Sequence, residues 1–281
     1  MSEIKERPIL FSGPMVLAIL EGRKTVTRRT LANQMSAGWH LHPEHQLGTI
    51  TSGNSKKSRF GAIIRREISE GSGKFEHHVI PCPYGEAGDR LWVRETWGVV
   101  SHTWNERGDM VDWVPDRPAT AIRELHFGRG YYSGHVIYAA DGGHEWAGDD
   151  DGGGESRSAW HPSIHMPRAA CRILLEITAV RIERLQDITD EQAIAEGCFF
   201  TDYGRVCGHG GSGWKEVGDC PAPEQHHPQR NGWMWDKTTS HEQCLTAARW
   251  AFGNLWESVN GPESWDANPW VWVVEFKRVT P

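Results

Sequence analysis

Long apolar runs are missing from this chain. No window approaches the roughly 18 consecutive apolar residues that a membrane-spanning helix needs, and the opening stretch MSEIKERPIL lacks the apolar core of a secretory signal. A cytoplasmic protein with no membrane partner is therefore expected. Closely paired cysteines are missing as well. Cys82, Cys171, Cys198, Cys207, Cys220 and Cys244 stand far apart, so reduced thiols are expected rather than a disulfide framework. An excess of positive charge is absent too: the formal net charge of −7 argues against tight, sequence-blind duplex binding, which depends on neutralising many phosphates.

Familiar hydrolytic and metal signatures are also lacking. There is no G-x-S-x-G and no H-E-x-x-H, and Ser212-Gly213-Trp214-Lys215 matches S-x-x-K only inside a glycine-rich loop. His42-Pro43-Glu44 followed by Pro81-Cys82 has part of a zinc-deaminase pattern, but Gly85 occupies the place of the second cysteine. Cys198, Cys207, His209, Cys220, His226 and His227 offer soft donors within one stretch. No C-x-x-C pair sets the geometry usual in a structural zinc site, so the expectation is an unliganded loop and no metal.

What is present is enough apolar sequence for a sizeable core, 38% of 281 residues, and 15 tryptophans, best read from composition as core filler. Ser12-Gly13-Pro14 ahead of Met15, Val16, Ile19 and Leu20 predicts a helix stopped by Gly22. Strand composition marks residues 90–97, 135–139, 172–185 and 271–276. The apolar phase slips near Ala179, which predicts a bulge. Thr189 and Gln192 form a capping-box pattern for a short helix running to Glu196 and ended by Gly197. A third helix is predicted from Ser240, with Gln243 as capping partner and Cys244, Leu245, Ala248, Phe252, Leu255, Trp256 and Val259 on its buried face. Polar, glycine-rich stretches at about residues 32–74, 99–132, 141–158 and 201–239 read as insertions on a single domain spanning residues 1–281.

Four cations and two threonines crowd into seven residues, Arg23-Lys24-Thr25-Val26-Thr27-Arg28-Arg29. One reading is a solvated basic turn near the negative end of the first helix. The other is chemical: a lysine that is desolvated and crowded by Arg23 and Arg28 loses its proton more readily and can activate the Thr27 hydroxyl. Regular strand alternation would send Lys24 and Thr27 to opposite faces, so this reading requires a non-extended turn near Lys24 or Thr25.

Gly22-Arg23-Lys24-Thr25-x-Thr27-x-Arg29, Gly88-Asp89-x-Leu91-Trp92-Val93-Arg94-Glu95, the helix ending at Glu196 and a final V-x-x-F-type strand together resemble the ASCH domain family. The likeness is greatest to the longer ASCH proteins of phage and prophage genomes, whose pattern Trp160-His161-Pro162-Ser163-Ile164-His165-Met166-Pro167-Arg168 also fits. It covers about half of the chain, the insertions lying outside it. The resemblance implies an α+β fold, a PUA-like, mainly antiparallel β-barrel with flanking short helices and long loop insertions. It further implies an amidohydrolase that removes the acyl group from N4-acetylcytidine or a similar N4-acylated cytidine, with Lys24, Thr27 and Glu196 as the catalytic set and no cofactor.

Around that set, Arg23, Arg29, Trp92, Arg94, Glu95, Trp160, His165 and Arg168 are candidate substrate contacts: tryptophans to stack on the pyrimidine, and Arg168 or backbone N–H groups as oxyanion donors. The expected partner is a modified pyrimidine nucleoside or RNA. Two rival readings start from the same residues. Lys24, Arg28, Arg29, Arg90 and Arg94 would form a phosphate-contacting patch of an RNA-binding module or ribonuclease, or the site would be idle in a phage-associated interaction protein.

Overall fold

The computed structural model describes residues 4–51, 58–144, 146, 159–207, 215–217, 220, 222–227 and 229–280. Strands dominate, with three α-helices among the described residues. Five strands build the central sheet: β1 (Glu6–Leu10), β2 (Val26–Thr30), β3 (Arg90–Arg94), β4 (Leu174–Arg184) and β5 (Trp270–Val279), in the order β1-β3-β4-β5-β2. β1 and β3 run parallel and the other neighbours antiparallel. Asp89 fastens the parallel pair at its start, accepting from the Lys5 backbone N–H at 3.0 Å and from Arg7 at 2.7 Å.

The predicted slip in β4 is a register shift between Ile177 and Ala179. It turns Ile173, Leu175 and Ile177 and then Ile182 into one core with Leu91, Val93, Trp272 and Val274. Strand pairing does not close this sheet into a barrel among the described residues, because β1 and β2 remain its two edges. A side chain brings those edges together at one end: Arg29 donates to the Leu10 carbonyl at 2.5 Å and lies over the Phe11 ring at 5.1 Å.

Helix α1 (Gly13–Leu20) follows the predicted signals, with Pro14 in its first turn and Gly22 at φ 76° just past its end. Helix α2 (Asp190–Ala195) carries both bonds of the predicted capping box between Thr189 and Gln192, and Glu196 is its C-cap. Helix α3 begins later than its capping pattern suggests. Ser240 and Gln243 do cap each other, but over the single 3-10 turn His241–Gln243, and α3 spans Ala248–Asn260. Leu245 instead exchanges backbone hydrogen bonds with Trp233, at 2.7 and 2.8 Å, so tertiary pairing keeps it out of the helix. Val259, expected on the buried face, is 51% exposed.

Two of the expected loop insertions are largely antiparallel strands. Strands Leu47–Thr51, Ser58–Glu67 and Phe75–Pro81 pair side by side, and Thr120–Phe127 pairs with Gly130–Tyr138, which pairs in turn with Trp97–Val100. Strands Phe199–Cys207 and Gln229–Met234 likewise pair within the expected insertion at 201–239, whereas most of residues 141–158 lie outside the described residues. No helix among the described residues is long and apolar enough to cross a membrane.

Gly197 fixes the exit from α2: it adopts φ 108°, and a Cβ there would meet the Ala18 Cβ at 3.1 Å. Gly197→Ala is therefore expected to lose roughly 1–2 kcal/mol, read as a lower urea midpoint. Gly13→Ala, with open space around it, serves as the control and should move by no more than about 0.5 kcal/mol.

Candidate active site

Between the end of α1 and the start of β2 the backbone is irregular. Arg23 and Lys24 both donate their N–H to the Ala18 carbonyl, Thr25 N–H donates to Ala195 O, and the Thr25 carbonyl accepts from Phe276 N–H. Lys24 meets Glu196 in an isolated bridge and the strand begins only at Val26. The turn itself lies at Glu21 and Gly22, before Lys24. From Val26 onward side chains alternate, so Thr27 shares a face with Arg29 while Val26, Arg28 and Thr30 take the other.

Lys24 and Arg29 converge on the Phe11 ring, the ammonium at 5.8 Å and the guanidinium at 5.1 Å from its centre. Lys24 and Arg29 thus approach the same ring, and Thr27 lies on the Arg29 face of β2. Because β2 is an edge strand, Glu196 at the C-cap of α2 can stand beside it and be reached from both faces. Lys24 Nζ donates to Glu196 Oε2 at 2.5 Å and to the Glu196 carbonyl at 2.8 Å. From the other face Arg28 donates to Glu196 Oε1 at 3.3 Å, to Gln192 Oε1 at 2.8 Å and to Glu183 Oε2 at 3.2 Å.

Lys24, Thr27, Arg28 and Glu196 are each 2–3% exposed. Burial pushes the Lys24 ammonium below its ordinary value of 10.5, against the opposing pull of the Glu196 carboxylate. A cleft opens along this edge between Met15 of α1 and α3, lined by Thr27, Arg28, Arg29 and Glu196 on one side and by Phe252 and Trp256 on the other. It is open to solvent, with ≈ 380 Å³ of empty space and a cavity volume of ≈ 40 Å³. Arg28 Nε and Trp256 Nε1, both buried and on cleft-lining side chains, have no hydrogen-bond partner.

The other expected contacts are dispersed. Arg23 donates to the Gly197 carbonyl at 2.7 Å and to Glu21, and lines a separate cleft with Phe199 and Trp235. Trp92 is buried with Trp97, Tyr138 and Met166, and Arg94 lies over its ring and donates to Ile164 O at 3.1 Å. Glu95 takes both ends of the Arg172 guanidinium, at 2.9 and 2.8 Å. Trp160 packs edge-on against Trp146, and His165 is exposed in the turn Ser163–His165.

Arg168 pairs with Glu6 at 2.8 Å, a strand's length from Phe11 and so too far to serve as oxyanion donor. Of the eight expected contacts only Arg29 lines the cleft. The helical periodicity assigned Trp256 to the core, and its unpartnered N–H carries no mark in sequence.

Glu196→Gln weakens a buried pair without removing its shape, which is expected to cost roughly 3–5 kcal/mol. Lys24→Met combined with Glu196→Gln should recover much of that loss; urea unfolding of the four proteins in the cycle measures the coupling. Comparison of the chain with protein-family models, with curated proteins and with solved structures finds no match.

Proposed function

We propose that this protein is an amidohydrolase of ASCH type, on a PUA-like scaffold, that removes the acyl group from an N4-acylated cytidine. The observation that carries the reading is the buried 2.5 Å contact of Lys24 with Glu196 at a cleft that Thr27 lines. A lysine and a carboxylate in such contact are interchangeable as an ion pair or as neutral amine and acid, the proton moving along one hydrogen bond. The neutral form suits amide cleavage, since it presents a base and an acid together.

In this mechanism Lys24 takes the Thr27 proton as Oγ attacks the acyl carbon. Glu196 gives its proton to the departing N4 amine, the carbon–nitrogen bond breaks, and cytidine leaves with the acyl group esterified to Thr27. Water, deprotonated by the same pair, then cleaves the ester to release the carboxylic acid and restore the hydroxyl. Trp256 Nε1, across the cleft, is the donor available to the carbonyl oxygen, in place of Arg168. The small cavity suits a short acyl group, with the pyrimidine lying across the mouth against Phe252.

A phosphate-binding patch fits these cations less well. Lys24 and Arg28 are buried and already engaged by Glu196, Glu183 and Gln192, so they have little charge to offer a backbone phosphate.

Incubation with N4-acetylcytidine, followed by absorbance, should yield cytidine. Thr27→Ala and Lys24→Ala are expected to lose roughly 10³-fold or more in kcat/KM, and Glu196→Gln roughly 10²–10⁴-fold. No turnover by the wild type, with salt-sensitive retention of RNA, would sink the reading in favour of the RNA-binding alternative.

The pH dependence has a definite sign. The pair must keep one proton for the departing amine, and burial lowers the Lys24 pKa, so kcat/KM should fall with rising pH on a limb whose midpoint lies below 10.5. Lys24→Arg, which keeps the charge but cannot release the proton in this range, should be inactive at every pH.

A further inference from the structure

The stretch between α2 and α3 carries polar chemistry that the cleft does not use. Strand Phe199–Cys207 pairs with Gln229–Met234, and past an irregularity Arg205 stands opposite Gln229. Cys207 lies two residues past that pair on its strand, and His227 two residues before Gln229. Arg205 Nε donates to the His227 carbonyl at 3.1 Å. Cys207 also pairs with Lys215, so it stands where two hairpins meet. Cys220 N–H donates to Val217 O at 3.0 Å.

The result is a cluster in which the Cys207 and Cys220 sulfurs and a ring nitrogen of His227 all lie within 4.8 Å of one another. The two sulfurs are 3.4 Å apart. His227 is 5% exposed, and its buried Nε2 has no hydrogen-bond partner. An imidazole nitrogen removed from water without a partner costs on the order of 1–3 kcal/mol, so something is expected to satisfy it.

We propose that Cys207, Cys220 and His227 bind a zinc ion. Two thiolates at about 2.3 Å from one tetrahedral zinc lie roughly 3.8 Å apart, close to the observed spacing, whereas a disulfide needs about 2.05 Å. Binding releases the two thiol protons, and two thiolates neutralise the divalent charge, as a largely buried site requires. Two sulfurs and one imidazole are a soft donor set that selects zinc over magnesium or calcium, and a water molecule completes the tetrahedron. The C-x-x-C pair missing from the sequence is replaced by three donors that the fold brings together from separate positions along the chain. Such an ion would tie together two hairpins of a glycine-rich segment.

The full-length protein, purified without chelator, should carry about one zinc per chain by elemental analysis. After removal of the zinc, added Co²⁺ should give the visible bands of a tetrahedral site together with near-ultraviolet thiolate charge transfer. Cys207→Ser and His227→Ala are expected to bring zinc content close to zero, while Cys244→Ser retains it. If the variants do not fold, the cobalt spectrum of the wild-type chain decides. Zinc-free protein that gives no thiolate–cobalt band overturns the proposal. So does a Cys207–Cys220 disulfide, seen as a mass two hydrogens lighter and restored by reduction.

Discussion

The buried contact between Lys24 and Glu196 is the constraint on which the candidate site depends. Two charges taken out of water recover their desolvation only when geometry and further hydrogen bonds are favourable, and each supporting element here serves that end. The irregular turn after α1 aims the lysine, the C-cap of α2 presents the carboxylate, and Gly197 lets the chain leave without moving it. Gln192 has two tasks: its side-chain oxygen accepts from Thr189 N–H to cap α2 and from Arg28 to hold the second cation near Glu196. The cap of a six-residue helix and the electrostatics of the cleft are thus coupled through one amide.

A second buried cluster shows why burial alone does not mark a site. Glu95 is 1% exposed and burial pushes its pKa up, with Arg172 opposing. Yet Arg172 meets it with two parallel hydrogen bonds, donates to Asp141 at 2.6 Å, and lies over the Tyr138 ring at 3.9 Å. Both carboxylates are engaged by one guanidinium, as in a structural clamp joining β3 to the start of β4. At Lys24, by contrast, a threonine lines an open cleft beside the pair, and two N–H groups nearby have no partner. An arrangement with unused capacity has something left to offer a substrate.

Local signals were legible in the sequence where the chemistry is local. The capping box at Thr189, the proline start of α1, the slip in β4 and the association of Lys24 with Glu196 all rest on neighbours along the chain or on a motif that includes them. Features decided by long-range pairing were not. Leu245 is extended because Trp233 pairs with it, despite a helical apolar pattern, and the insertions hold strands because partners arrive from elsewhere in sequence. Trp92, Glu95 and Arg168 fit the motifs yet are taken up elsewhere, Trp92 in a core with Trp97 and Tyr138, Glu95 by Arg172 and Arg168 by Glu6, because those partners arrive from distant parts of the chain.

The order of strands has a consequence for how the protein is made. β2, which carries Thr27, has no sheet neighbour other than β5, with Val271 opposite Thr30 and Val274 opposite Thr27. Its partner is therefore about the last segment of the central sheet to leave the ribosome, and contacts of such long sequence separation are slow to form. Until then the basic stretch around Lys24 has neither its strand partner nor the buried surroundings that depress the lysine. The buried pairing of Lys24 and the strand position of Thr27 are therefore completed only after residues 270–279 have docked.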